Sequence, residues 1–264
     1  MLNLKPKDPA RRSISGFTLI EITLVLLVAT ILLGYTVGMY PLQQELKQYK
    51  IAEAEMDSIL QYLIRFAQIN GRLPCPDTNS GGSTIDGEED SNGSNGCKAF
   101  FGYLPAKSLG INGDFKEGLL LDPWGIPYRY AVSKSNANVS GSDADIDFVT
   151  RNGIKNEGIV NAIPDLFICD DSAATGNDLD CAAASSNIVA GNVAAVVIST
   201  GKDRNKVGSN IQAENTDDFH NGGSDKVFVY APRNDSSGNE YDDIVKWISP
   251  NLLISKMIEA DQLP

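Results

Sequence analysis

One carboxylate, Glu21, is the only charged group in the apolar run of residues 17–40. A carboxylate in a membrane segment costs about 2.5 to 3.5 kcal/mol on insertion scales, so such a group usually has a cationic partner. A cut between Gly16 and Phe17 would create an α-amino group four residues before Glu21, in the same chain or in a neighbouring one. Glu21 is therefore the first candidate for a functional ion pair. The alternative is an interfacial residue near a helix end, whose carboxylate reaches the water at the membrane surface.

The stretch GFTLIE, with basic residues before it and about twenty apolar residues after it, resembles the signal of type IV prepilins and of type II secretion pseudopilins. In that family a prepilin peptidase cuts after the glycine and methylates the new N-terminal residue. The resemblance implies that Gly16 is the cleavage residue, Phe17 the methylated terminus, and Glu21 the carboxylate that pairs with a neighbouring subunit during assembly. It also implies three partners, which are the peptidase, other pilin or pseudopilin subunits, and an inner-membrane assembly platform.

Charge and hydropathy predict where the chain lies. A helix over residues 17–40 would be about 36 Å long, enough to cross a hydrocarbon core of roughly 30 Å. Basic residues before this segment predict a cytoplasmic N-terminus: Lys5, Lys7, Arg11 and Arg12. We therefore expect a single-pass inner-membrane protein with a periplasmic head, which later joins a pilus or pseudopilus. The net charge of -12 argues against a nucleic-acid partner.

The apolar pattern predicts four segments. Residues 1–16 form a cytoplasmic leader, residues 17–40 a transmembrane helix, residues 41–70 an amphipathic periplasmic helix, and residues 71–264 a globular head. In the third segment apolar residues recur every three or four positions as far as Asn70.

The head is predicted to contain strands, because short segments rich in β-branched and aromatic residues alternate with polar turns. These segments are YRYAV, DIDFVT, PDLFIC, AAVVIST and KVFVYAP, followed by DDIVKWIS and a short C-terminal helix in NLLISKMIEADQLP. The expected fold class is α+β and pilin-like, with a long membrane-spanning helix and an antiparallel β-sheet packed on its outer half.

The four cysteines do not form the close CxxC pairs of a zinc site. Four cysteines allow three pairings. We favour Cys75 with Cys97 and Cys169 with Cys181, because each pair closes a short loop rich in Gly, Asn, Asp and Ser. The predicted export of the head also favours oxidation. The alternative is four reduced, buried thiols.

The sequence contains no recognisable set of catalytic residues. A serine or cysteine hydrolase needs a base beside its nucleophile, and the only histidine is His220, in the polar DDFHNGGSD segment. The motifs GxSxG and HExxH, a P-loop, and GxGxxG in a βαβ context are all absent from the sequence. We predict that the protein is not an enzyme and has no catalytic residue.

Oxygen-rich side chains are concentrated between AAVVIST and KVFVYAP, and Ca²⁺ binds six to eight such oxygens. The calcium candidates are Asp203, Asn205, Asp217, Asp218 and Asp225, with Asn215 in the same segment. The favoured interpretation is a solvated acidic loop without a cofactor, and a calcium site is the alternative. An earlier acidic stretch could hold a cation, but a solvated loop is the favoured interpretation there as well; its acidic residues are Asp86, Glu88, Glu89 and Asp90.

These expectations favour a structural subunit of a type IV pilus or a type II secretion pseudopilus. A head of about 200 residues is large for a repetitive shaft subunit, so a minor subunit is the better match. The competing hypothesis is a membrane-tethered periplasmic binding domain or enzyme that is not assembled into a filament.

Overall fold

The computed structural model describes residues 16–78, 84–93, 96–134, 146–170, 181, 188–202, 215, 226–234 and 241–263. Residues 35–42 are described as helical backbone without their side chains. The chain divides into two units, Met1–Lys47 and Gln48–Pro264. All the described strands and the two shorter helices belong to the second unit.

The long helix α1 spans Leu19–Asn70. It ends where the sequence predicts, because Gly71 adopts a φ of 68°, which side chains with a Cβ rarely adopt. The N–H of Gly71 donates to the carbonyl oxygen of Ala67 at 2.8 Å and closes the last turn. The predicted helix end at Asn70 is confirmed.

The predicted membrane-spanning segment over residues 17–40 requires a correction. In the described part of the chain, no helix is long and apolar enough to cross a membrane. The same finding contradicts the expected single-pass inner-membrane location and the membrane-spanning part of the expected fold class.

Nine strands and two further helices lie among the described residues. The strands are β1 (Phe101–Tyr103), β2 (Phe115–Lys116), β3 (Leu119–Leu120), β4 (Arg129–Val132), β5 (Leu166–Cys169), β6 (Ile188–Val193), β7 (Ala195–Ser199), β8 (Val227–Val229) and β9 (Ile244–Ile248). The helices are α2 (Gly153–Glu157) and α3 (Pro250–Glu259). The secondary structure is therefore α+β, as expected.

The strands form a four-stranded sheet of order β1-β4-β7-β9, a three-stranded sheet of order β6-β5-β8, and the hairpin β2-β3. All pairs in the four-stranded sheet are antiparallel. In the three-stranded sheet, β5 pairs with β8 in parallel. The expected antiparallel arrangement therefore holds for the larger sheet and is wrong for one pair of the smaller one.

One predicted strand, DIDFVT, is also wrong. Its described residues 146–150 form turns, and α2 follows shortly after. A Cβ on Gly153 would clash with the carbonyl oxygen of Asp147, so the backbone folds back on itself too closely for a larger residue. Phe148 and Val149 are nevertheless buried, which explains why their apolar pattern resembled that of a strand.

The central strand of the fold is β7, which is buried at all five positions. On one face of the four-stranded sheet, Val197 joins a core cluster that contains Tyr130 and Ile248 together with residues of α1 and α3. On the other face, Val196 and Ile198 pack in a second cluster with residues of the three-stranded sheet. The four-stranded sheet therefore has helices on one side and the smaller sheet on the other.

The outer part of α1 contributes a buried stripe to the first cluster. Its members are at most 1% exposed: Ala52, Met56, Ile59, Leu63 and Ala67. They recur every three or four residues, which places them on one face of the helix. The predicted amphipathic face is therefore confirmed over this part of α1.

The buried stripe predicts the effect of two matched substitutions on α1. Ile59 is 1% exposed and Ile69 is 70% exposed. Ile59→Ala should lower the free energy of unfolding by about 2 to 5 kcal/mol, because it leaves a cavity in the core. Ile69→Ala should change it by no more than about 0.5 kcal/mol. Urea titration of both variants measures the difference, and equal losses would contradict the described packing.

Candidate functional site

The N-terminal segment joins a non-helical tripeptide to the start of a helix. Gly16, Phe17 and Thr18 precede α1 without regular structure, and Glu21 lies in the first turn of α1. Phe17 is 78% exposed. The bond between Gly16 and Phe17 is therefore part of an exposed, non-helical stretch.

Thr18 and Glu21 also have a local structural role at the start of α1 that the sequence pattern did not predict. The backbone N–H of Glu21 donates to the carbonyl oxygen of Thr18 at 3.1 Å and to its Oγ1 at 3.4 Å. The sequence does contain the spacing Thr-x-x-Glu, which is typical of a capping box at a helix N-terminus. A carboxylate in the first turn also interacts favourably with the helix dipole. Glu21 therefore helps to begin α1, whatever its role in assembly.

Large apolar side chains are exposed all around the first turns of α1. They are Leu19, Ile20, Ile22, Leu24, Val25, Leu26, Leu27, Val28, Ile31, Leu32 and Leu33, each at least 46% exposed. A soluble monomer rarely exposes a contiguous apolar surface of this kind, and such surfaces usually mark interaction sites. This part of α1 is therefore a candidate interaction surface.

The hydroxyls on this surface are satisfied within the helix itself. Thr23 Oγ1 donates to the carbonyl oxygen of Ile20 at 2.9 Å, and Thr30 Oγ1 donates to that of Leu27 at 2.8 Å. In the described part of the chain, the structure gives the Glu21 carboxylate no ion pair and no hydrogen bond. Glu21 is thus the group on this surface whose burial would require an external partner.

The five calcium candidates, Asp203, Asn205, Asp217, Asp218 and Asp225, lie outside the described residues, and so does His220. Asn215 is described and is fully buried. Its side-chain amide donates to the carbonyl oxygen of Val229 at 3.0 Å and to Oδ2 of Asp243 at 2.9 Å, and its oxygen accepts from the N–H of Val229 at 2.8 Å. Asn215 therefore joins parts of the fold as a structural residue.

The described residues contain no group of three or more His, Cys, Asp or Glu side chains that could hold a metal ion. In the earlier acidic stretch, the Glu89 carboxylate forms two hydrogen bonds with Arg72, at 2.6 and 2.8 Å. Asp90 Oδ2 accepts from the backbone N–H of Thr78 at 2.8 Å. These two carboxylates hold the loop to the body of the second unit, so the expected solvated loop is wrong for Glu89 and Asp90.

Asp77 anchors the same loop from the inside. It is fully buried, and its Oδ2 accepts from the backbone N–H groups of Asp86 at 3.1 Å and Gly87 at 2.5 Å. Burial raises the pKa of Asp77 to about 6, more than these two hydrogen bonds lower it, and the nearby Asp86 and Asp90 raise it further. The sequence offered no sign of this role, because Asp77 appeared to begin a polar loop.

Both predicted disulfides are present. Cys75 is bonded to Cys97, and Cys169 is bonded to Cys181. The first disulfide closes the loop that Asp77 anchors, and the second joins the end of β5 to the segment before β6. All four cysteines are therefore oxidised.

The raised pKa of Asp77 predicts a pH dependence of stability. The pKa of this carboxyl group is about 6 in the folded state and 3.8 in the unfolded state, so folding favours its protonated form. Its contribution to stability is therefore complete below about pH 3.8. This contribution is lost as the pH rises through about 6. Asp77→Asn retains an acceptor oxygen and removes the titration. Its free energy of unfolding, relative to that of the wild type, should therefore rise between about pH 4 and pH 7.

Denaturant titration of both proteins at the two pH values measures this difference. Asp261→Asn is the control, because Asp261 is exposed and asparagine tolerates its φ of 57°. A relative stability of Asp77→Asn that stays constant or falls with pH would contradict the prediction.

Comparison of the chain with protein-family models, with curated proteins and with solved structures found no match. The candidate site is therefore defined by the chain's own residues, the exposed N-terminal part of α1 and its single carboxylate.

Proposed function

We propose that the chain is a structural subunit, of the minor kind, in a filament of the type IV pilin or type II secretion pseudopilin class. In this proposal a prepilin peptidase cuts between Gly16 and Phe17 and methylates Phe17. The new subunit then assembles with other subunits through the N-terminal part of α1. The observation that carries the proposal is an apolar helix surface exposed on all sides, with one carboxylate that lacks a described partner.

Gly16 supports the cleavage step, because nothing in the described fold requires a glycine there. A Cβ added at Gly16 would meet no atom within 4 Å, and its φ lies outside the left-handed region. The glycine is therefore consistent with recognition by an external agent such as a peptidase. The exposed, non-helical backbone at residues 16–18 would allow a protease to bind this peptide bond.

The internal hydrogen bonds of the threonine hydroxyls are compatible with burial of this helix among other subunits. Thr23 and Thr30 donate their hydroxyl protons to the preceding turn, so apolar neighbours could cover them without leaving a donor unsatisfied. Burial of each large apolar side chain contributes about 1.5 to 3 kcal/mol. Contact with other subunits would therefore stabilise a bundle strongly.

Glu21 would supply selectivity to that bundle. A buried carboxylate without a partner is strongly destabilising, whereas a cation within hydrogen-bonding distance offsets the cost. The α-amino group that the cut creates on a neighbouring subunit would be such a cation. Uncut chains lack an amino group at this position, so they would be disfavoured in the bundle.

The cleavage step predicts the mass of the N-terminal peptide in protein isolated from its native cells. Mass spectrometry should find a chain that begins at a methylated Phe17. An intact Met1 or a cut near Gly34 would contradict the proposal and favour a chain that is not assembled into a filament. In Gly16→Leu the leader should remain attached while the melting temperature stays unchanged, because the added side chain meets open space.

The assembly step predicts different effects for charge and for helix capping. Glu21→Gln retains the capping-box spacing but removes the charge, so it should reduce incorporation into filaments strongly. Thr18→Val removes the capping hydroxyl but keeps the charge, so it should reduce incorporation only slightly. Immunoblots of sheared filaments against total cell protein give the incorporated fraction. Loss of assembly in Thr18→Val with normal assembly in Glu21→Gln would contradict the pairing role.

A further inference from the structure

A cleft of about 540 Å³ lies in the second unit between α1 and the chain on either side of the β2-β3 hairpin. Its volume is within the range of small-molecule sites, which is about 300 to 1,000 Å³. One wall consists of residues 111–114, before β2, and residues 120–123, at the end of β3 and after it. The other wall is a single face of α1, because its residues recur every three or four positions: Gln48, Ile51, Glu55, Ser58, Ile59 and Tyr62.

A hydrogen bond and a shared core hold the two walls together. Gln48 Nε2, on the α1 wall, donates to the carbonyl oxygen of Pro123 on the opposite wall at 3.3 Å. Ile59 from the α1 wall and Leu120 from the opposite wall belong to the same core cluster, and Ile111 packs against it. Both walls therefore adjoin one apolar floor.

Negative charge is concentrated in this cleft. Its charged lining residues are Glu55, Asp114 and Asp122, and none of the described residues that line it is Lys, Arg or His. Both oxygens of Asp122 accept hydrogen bonds within the protein. Asp114 is exposed, and the described residues give its side chain no hydrogen bond or ion pair. Glu55 and Asp114 are therefore the two carboxylates that a ligand can reach.

Tyr128 fixes the position of one of these carboxylates. Its hydroxyl donates to Glu55 Oε2 at 2.8 Å, and Tyr128 itself is 1% exposed. Burial raises the pKa of this hydroxyl and the hydrogen bond with Glu55 raises it further, so the hydroxyl keeps its proton. In the described part of the chain, Glu55 forms no ion pair. The carboxylate is therefore held at the α1 wall with its negative charge uncompensated.

The cation that contacts a lining residue lies at the far end of the α1 wall. The guanidinium carbon of Arg65 is 6.0 Å from the centroid of the Tyr62 ring. Tyr62 follows Glu55 by about two helical turns, or about 10 Å along the axis. Charges at that separation are largely screened at physiological ionic strength, so Arg65 does not offset the Glu55 carboxylate.

The other polar side chains of the α1 wall are engaged within the protein. Gln48 donates to Pro123, and the Ser58 hydroxyl donates to the carbonyl oxygen of Ala54 at 3.0 Å. A neutral polar ligand would need to break such bonds, and an anion would be repelled by the carboxylates. A ligand with a positive charge and an apolar part matches what remains available.

We propose that this cleft binds a small amphipathic amine, with its ammonium group at Glu55 and Asp114 and its apolar body against Ile51 and Leu120. An ammonium group has three N–H donors, and hydrogen bonds between charged groups are the strong ones. The proposal is independent of the function proposed for the N-terminal segment.

Calorimetric titration of the full chain with 2-phenylethylamine tests the proposal. One matched probe is 2-phenylethanol, which has a hydroxyl in place of the ammonium group, and the other is ethylamine, which lacks the ring. Phenylethylamine should bind saturably with a dissociation constant of about 1 mM or lower. Both other probes should bind at least about fivefold more weakly, because one lacks the charge and the other lacks the apolar body. Equal affinity for either of them, or no saturable binding of phenylethylamine at about 10 mM, would overturn the proposal.

Substitution of Glu55 separates its charge from its structural contact. Glu55→Gln keeps an acceptor for the Tyr128 hydroxyl and removes the charge, so it should weaken phenylethylamine binding at least about threefold. Glu53 is on the same helix and lines a different cleft, so Glu53→Gln is the matched control and should bind normally. Unchanged binding in Glu55→Gln, or an equal loss in Glu53→Gln, would contradict the assignment.

Substitution of Ile51 tests the apolar part of the site. Ile51 is 39% exposed, so its truncation removes contact surface for the ligand without opening the core. Ile51→Ala should weaken phenylethylamine binding at least about twofold and leave ethylamine binding unchanged. Ile69→Ala, on the same helix and outside the cleft, is the control. Equal effects of Ile51→Ala on the two amines would refute the placement of the apolar body.

A lysine side chain of a second copy would offer the same chemistry as a free amine. In that case phenylethylamine would compete with the neighbouring chain and dissociate the assembly. Sedimentation velocity of the full chain with and without phenylethylamine distinguishes the two sources. An unchanged mass supports the free amine, and dissociation by the amine would assign the cleft to a second copy and overturn the proposal.

Discussion

The packing of one face of α1 against the four-stranded sheet is the interaction on which the second unit depends. Met56, Ile59 and Leu63 enter the same core cluster as Tyr130 and Val197. From Gln48 onward most of the exposed side chains of α1 are polar, with Ile51 and Ile69 as large apolar exceptions. This part of the helix therefore has one orientation that buries its apolar stripe. The sheet in turn needs that helix, because its central strand β7 is apolar on both faces and a strand of this kind must be covered on both sides.

Buried carboxylates stabilise the turns around this core through hydrogen bonds to backbone N–H groups. Asp122 Oδ1 accepts from the backbone N–H groups of Trp124 and Ile126, and its Oδ2 accepts the hydroxyl of Ser199 at 2.6 Å. It therefore joins the turn at residues 122–125 to the end of β7. Burial raises the pKa of Asp122 as it does that of Asp77. In both cases a carboxylate satisfies backbone donors that a turn would otherwise leave unpaired.

The N-terminal part of α1 differs from its outer part in the distribution of apolar residues. Its apolar residues surround the helix instead of forming a stripe, and its threonine hydroxyls bond to the preceding turn. One helix thus combines a segment suited to burial on all sides with a segment suited to burial on one side. Glu21 begins the first segment through its contact with Thr18, and the proposed ion pair would add an intermolecular role to this intramolecular one.

The sequence by itself determined the long helix, its end at Asn70, the buried stripe from Ala52 to Ala67, and both disulfides. Each depends on residues close together in the chain, where periodicity, glycine conformation and loop length act directly. Only the tertiary structure decided the parallel pairing of β5 with β8, the turns at residues 146–150, and the burial of Asp77 and Asn215. Strand pairing and burial depend on partners far apart in sequence, as Asn215 and Asp243 illustrate. The membrane segment expected from residues 17–40 is the prediction that the described helices contradict.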